Sequence, residues 1–157
     1  KLLSNIHQGK FLNQDQDLSL VMSEVSELAL KTVGKIALLG SDIPTLNSND
    51  INEVFSNRLE KENLFFQTDD GGFCFMFSKD QNIIKCLKKI KSSTNSVIRN
   101  LRNCLSQVNI SKSIYYDVDV ALDLKKVYEQ LKLNEANITN EQKDLLNFLR
   151  SNEKIFI

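Results

Sequence analysis

Asp117 and Asp119, separated by Val118, offer the plainest opportunity for chemistry in this chain, with Asp123 four residues further on. On a strand, side chains two apart point to the same side, so the pair would present two carboxylates together. Such a pair can hold a divalent metal for phosphoryl or glycosyl transfer. The same tripeptide also serves as a solvent-facing strand or as the start of a helix. Because the tripeptide is common in both of those settings, no metal site, cofactor or catalytic residue is assigned.

The second constellation is basic. Lys85, Lys88, Lys89, Arg99 and Arg102 fall on the polar side of a periodic segment, where they could meet phosphates or an acidic protein. No aromatic residues are interleaved with them, so base stacking has no platform. Apolar residues gather at both ends of the chain: Leu2, Leu3, Ile6 and Phe11 at one, Ile155 and Phe156 at the other. These are expected to dock on the core or on a partner.

The single histidine, His7, has no second histidine to share a metal. Cys74, Cys86 and Cys104 lack C-x-x-C spacing, which argues against zinc. Gly40-Ser41 followed by Asp50-Ile51-Asn52 resembles the signature of polymerase-beta-like nucleotidyltransferases. That resemblance implies a strand bearing two metal-binding carboxylates. Here Asn52 holds the second position and the segment reads as a helix, so membership is not assigned.

Positioning these residues falls to one long element. From Ser78 to Val108, Ile83, Leu87, Ile90, Thr94, Val97, Leu101, Cys104 and Val108 step by four and three, the spacing of a helical seam. On one continuous helix Cys86 and Cys104 would lie about 27 Å apart, beyond bridging distance. Free buried thiols are therefore expected. Ser78 with Gln81, Asp50 with Glu53 and Thr139 with Gln142 read as capping boxes.

An earlier helix is expected from about Leu18 to Leu39, with Leu18, Val21, Val25, Leu28, Val33 and Ile36 inward and Gly40 as its stop. Asp69-Asp70-Gly71-Gly72 between aromatic-rich runs predicts a hairpin, with Phe73, Phe75 and Phe77 on one face. Ile114 to Val120 alternates like a short third strand.

The chain has 157 residues, 41% hydrophobic and 25% charged, with zero formal net charge, which suits one globular domain. Neutrality argues against a surface given over wholly to nucleic acid. One proline and five glycines favour long elements. No apolar run reaches the roughly 20 residues of a bilayer span.

These features predict a mainly α fold: a helical bundle around one long amphipathic helix, with a small antiparallel hairpin or three-stranded sheet. It would be a single domain over 1–157, a piece of a longer chain, with 1–16 either flexible or docked as an arm. The function expected is that of a non-enzymatic protein–protein interaction module, a subunit of a larger intracellular assembly, cytoplasmic or nuclear, with self-association open. A nucleic-acid-associated protein using the basic face is the alternative. A metal-dependent transferase-like protein or an inactive relative, using Asp117 and Asp119, is the third reading.

Overall fold

In a computed structural model, which describes residues 17–56, 63–91 and 94–156, Asp17 and Gly34 bracket the first helix, α1 (Leu18–Val33). The Asp17 carboxylate accepts from Ser19 N at 2.9 Å, satisfying one of the free donors of the first turn. Gly34 takes a left-handed φ of 72° and donates to Leu30 O, which ends the helix. The helix thus stops short of Gly40, and Ile36–Leu39 becomes strand β1.

The buried side of α1 is not the expected apolar stripe. Ser19, Ser23 and Ser26 are buried with Val21 and Leu30, whereas Leu18, Val25, Leu28 and Val33 are exposed. Ser23 and Ser26 return their hydroxyls to carbonyls of the preceding turn, and Ser19 donates to Ile90 O at 2.7 Å. Small, internally satisfied side chains let α1 pack closely on helix α3 (Asn82–Lys89).

Helix α2 (Ser48–Ser56) is capped by Asn47, whose Oδ1 accepts from Asp50 N, while Asp50 Oδ2 accepts from Asn47 N at 2.9 Å. Asp50 is therefore the third residue of a capping box, not its cap.

Strands β2 (Asn63–Gln67) and β3 (Phe73–Ser78) form the expected hairpin, but it lies at the centre of a larger sheet. With β1 and β4 (Asn109–Ile110) the order is β1-β3-β2-β4. β3 runs antiparallel to β1 and β2, and β4 parallel to β2, so three strands share one direction. β1 is outermost, with Leu39 61% exposed. The ladder shifts register between Phe66 and Gln67, leaving Cys74 as an extra residue on β3. That bulge sends Phe73 to the opposite face from Phe75 and Phe77. Phe73 meets Phe65 at 5.4 Å between ring centroids, whereas Phe75 meets Phe66 at 4.9 Å.

The long helix is broken. α3 ends at Lys89, Ile90 is extended, and helix α4 (Val97–Cys104) follows. The sequence from Lys91 to Ser96 is polar throughout, and Thr94 shows the effect: its Oγ1 donates to Lys91 O, competing for the backbone. Most of the seam survives: Ile83, Leu87, Ile90, Val97 and Leu101 are buried against Phe65 and Met76, whereas Thr94 and Val108 are half-buried and Cys104 is exposed. Folding back brings Cys86 and Cys104 to 5.7 Å between Cα atoms, and they form a disulfide. The expectation of free thiols at those two positions fails with the rod. Ser78 does not cap α3 either. It closes β3, and Asp80 Oδ1 accepts from Asn82 N.

On the sheet's other face Ile43, Val54, Leu64, Phe66, Cys74, Phe75 and Phe77 form a second cluster with Tyr115. Helices α5 (Asp123–Leu133) and α6 (Asn140–Ser151) pair around a third, containing Val127, Leu131, Leu146, Leu149 and Phe156. The Thr139–Gln142 capping box is present. Residues 114–120 form no strand beyond one bridge, Thr68 to Tyr115; the fourth strand is Asn109–Ile110.

The architecture is therefore α+β, with six described helices on a four-stranded mixed sheet. It is not a helical bundle carrying a hairpin. The β1 pairing and the break before Val97 overturn that expectation. No described helix is long and apolar enough to cross a membrane.

Candidate site at the carboxyl ends of the parallel strands

Open sheets bind ligands outside the carboxyl ends of their parallel strands, where loops diverge. Here β1 delivers Gly40-Ser41-Asp42 to that edge, and β2 delivers Thr68-Asp69-Asp70. Residues 115–119 lie alongside. Tyr115 N donates to Gln67 O at 3.0 Å, Asp69 N to Tyr115 O at 3.1 Å, and Val118 N to Asp42 O at 3.1 Å. The Tyr115 ring stacks on Phe66 at 5.4 Å, pinning the segment to the sheet. These backbone bonds place Asp117 between the loops that carry Asp42 and Asp69.

The carboxylates divide by what holds them. Asp70 is committed to the hairpin turn, accepting from Thr68 Oγ1 and from Gly72 N. Asp69 pairs with Lys126 at 2.8 Å, and that bond holds the lysine's pKa above its usual value. Asp123 opens α5 and accepts from Val120 N and Asp119 N of the preceding turn, and its carboxyl is held below the ordinary range chiefly by the Val120 N–H. Asp42, Asp117 and Asp119 have no ion-pair partner among the described residues. Burial pushes the Asp117 carboxyl above its usual value, and the charges of Asp70, Asp119 and Asp69 push the same way. The expected strand pair is not formed, since Asp117 is half-buried and Asp119 exposed on irregular backbone.

Cys74 lies beneath this edge. Burial, reinforced by Asp117, Asp42 and Asp50, pushes its thiol up to about 12, and the thiol donates to Phe66 O. It is a packed side chain, not a nucleophile.

The basic residues stand elsewhere. Lys85, Lys88 and Lys89 are exposed on α3, with Lys88 3.8 Å from Glu27, while Arg99 and Arg102 are exposed on α4. Phe156 is buried against Tyr128 at 5.7 Å, whereas Ile155 is largely exposed. Leu2, Leu3, Ile6, His7 and Phe11 lie outside the described residues. Asp42 escaped the sequence reading. Its signal was available in four apolar residues, Ile36–Leu39, running directly into Gly40-Ser41-Asp42.

A family model described as "Uncharacterized protein conserved in bacteria (DUF2064)" matches residues 7–94. The chain belongs to DUF2064. The matched stretch takes in Asp42 and the hairpin turn of this DUF2064 chain, and Asp117 lies beyond it. No curated protein matches the chain. Among solved structures it is similar to a "putative nucleotide-diphospho-sugar transferase" from Desulfovibrio desulfuricans G20, with a TM-score of 0.68 and 19% identity. The match covers 91% of this chain and 62% of that one, so the DUF2064 chain spans under two thirds of that protein's length. The likeness shows the fold. With the bundle gone, the non-enzymatic interaction module that rested on its helical surfaces falls too. The transferase-like alternative is the better supported.

Proposed function

We propose that this DUF2064 chain forms part of a transferase acting on a nucleotide-diphospho-sugar, with the reacting edge along Asp42, Asp117 and Asp119. The observation that carries this reading is the bond from Val118 N to Asp42 O, which sets the Asp117 segment beside the Asp42 loop at the carboxyl ends of parallel strands, in a fold like that of the similar structure. Asp117 suits the role of base toward an acceptor hydroxyl, because its raised pKa makes the ionised form a better proton acceptor. Among the described residues no three His, Cys, Asp or Glu side chains are grouped to hold a metal ion.

The test is heteronuclear NMR of the whole chain titrated with nucleotide-diphospho-sugars in the presence of Mg²⁺. Shifts should concentrate at residues 40–44, 68–72 and 115–119 and weaken in Asp42→Asn and Asp117→Asn. The absence of any shift in these three segments would remove the reading.

The compartment belongs to the same proposal. An intracellular setting would keep Cys86 and Cys104 largely reduced, whereas the bridged form belongs to oxidising conditions. Alkylation of thiols at the moment of cell lysis, read by mass spectrometry, distinguishes the two.

A further inference from the structure

Helix α1 turns its serines inward and leaves its apolar side bare. Leu18 and Leu28 are more than half exposed, and Val25 and Val33 are exposed with them. Leu18, Val25 and Leu28 belong to a heptad seam, in which Leu18, Val21, Val25, Leu28 and Thr32 step by three and four. Val21 is buried, and Met22 and Ala29, on one flank of the seam, rest on the core of the sheet. Glu24 and Lys31, on the other flank, are exposed. The opposite side of the helix meets α3, where Ser19 donates to Ile90 O.

Beside α1 runs β1, the outermost strand. Gly40 N donates to Cys74 O at 2.8 Å, so that position faces β3. Alternation along an antiparallel ladder turns Leu38 and Ile36 the same way and points the N–H and C=O groups of Ala37 and Leu39 outward. Their side chains are exposed as well. A bare strand edge beside a bare apolar helix is a surface that proteins ordinarily cover.

A second copy of this chain fits both parts at once. Two β1 strands set antiparallel about a two-fold axis at Leu38 place Ala37 of each opposite Leu39 of the other, which joins the outward N–H and C=O groups in both directions. Antiparallel pairing of two α1 seams faces each flank with its own counterpart. Glu24 of each copy then meets Lys31 of the other, opposite charges both times, whereas parallel pairing sets that flank against the uncharged one. The two axes also coincide. α1 and β1 double back at Gly34-Lys35, with Met22, Ala29 and Leu38 on the same core. A layer of Val25 on Leu28 of the second copy centres roughly 10 Å along α1 from Val33, and Leu38 lies roughly 7 Å along β1 from Ile36.

The geometry points to this surface as the interface of a symmetric dimer of this chain, built from the outer edge of β1 and the apolar side of α1. The sheet runs through the interface as eight strands. The same register brings Lys35 of the second copy level with Ser41, beside Asp42, so a cation arrives at the carboxyl edge. The interface does not depend on the transferase reading.

The test is sedimentation equilibrium of the whole chain from micromolar to millimolar concentration. Twice the chain's mass should appear within that range. Leu28→Glu, at an exposed position, should weaken dimerisation about a hundredfold and leave the circular dichroism unchanged. Glu24→Lys should weaken it about tenfold by setting lysines against each other, and adding Lys31→Glu should restore it. Restoration reports the antiparallel pairing itself, which a variant that merely unfolds does not reproduce. A monomer throughout the range overturns the proposal. So does a dimer untouched by Leu28→Glu and Glu24→Lys, or a charge swap that fails to restore pairing. A chain that dimerises only once residues 1–16 are removed overturns it too, because those residues then occupy the face.

Discussion

The α3–α4 pair and the loops at the carboxyl edge meet at one point, the hairpin turn, yet different forces hold them. The helices are fastened by apolar burial and a disulfide: Ile83, Leu87 and Leu101 are fully enclosed, and Cys86 is bonded to Cys104. The loops are fastened by single backbone bonds, such as Val118 N to Asp42 O, and by one lysine shared between Asp69 and Asp123. The difference separates stability from chemistry. Burial is strong and indifferent to direction, so it suits a scaffold. Sparse polar bonds leave carboxylates incompletely satisfied, and such groups are the ones able to react.

Four measurements sharpen or break that contrast. Leu101→Ala opens a cavity in the helix-side core and should cost about 2–5 kcal/mol in denaturant unfolding. A loss below 1 kcal/mol would mean that the seam is not the scaffold. Cys104→Ser removes a cross-link spanning 18 residues and should cost about 3 kcal/mol, with reduction of the native chain having the same effect. Cys104 is itself exposed, so the loss reports the bridge and not packing.

Gly71→Ala comes next. Gly71 has a φ of 89°, and an added Cβ would run into the carbonyl of Asn95, so destabilisation of about 2 kcal/mol is expected in thermal melts. Asp117→Asn is the smallest. A carboxyl whose folded pKa lies above its unfolded value binds its proton more tightly when folded. It therefore favours the fold at low pH and opposes it as pH rises through the carboxylate range. The variant should flatten that slope and gain less than about 1 kcal/mol at neutral pH, because the group is only partly buried. Comparing unfolding curves at pH 3 and pH 7 checks the sign. A loss of stability at neutral pH would show that Asp117 is a structural residue.

Legibility in the sequence follows the same division. The heptad spacing named Ile83, Leu87, Ile90, Thr94, Val97, Leu101, Cys104 and Val108 as inward; Ile83, Leu87, Ile90, Val97 and Leu101 are buried, Thr94 and Val108 are half-buried, and Cys104 is exposed. It could not reveal the break between Lys89 and Val97, because a folded-back pair of helices keeps the same seam as a straight rod. The six polar residues from Lys91 to Ser96 were the available sign. Asp-Gly chemistry announced the hairpin, while the bulge at Cys74, which divides Phe73 from Phe75, left no pattern of its own. In α1 hydropathy pointed to the wrong side, since serines that return their hydroxyls to the backbone pack like small apolar residues.

The carboxyl edge was the least legible part. Asp117 was visible as half of a common tripeptide. Its association with Asp42, however, depends on bonds between segments more than seventy residues apart in sequence, which no local spacing encodes. The parallel pairing of β2 with β4 is equally non-local, resting on two residues, Asn109 and Ile110.

The covalent link between α3 and α4 has a mechanical consequence. It closes a ring of chain whose far point, around Asn95 and Ile98, rests on the hairpin tip: Ile98 N donates to Gly71 O at 3.1 Å. The tip carries Asp69 and Asp70. The sulfur bond at one end of the ring and the acidic rim at the other are thus joined through the bond from Ile98 N to Gly71 O.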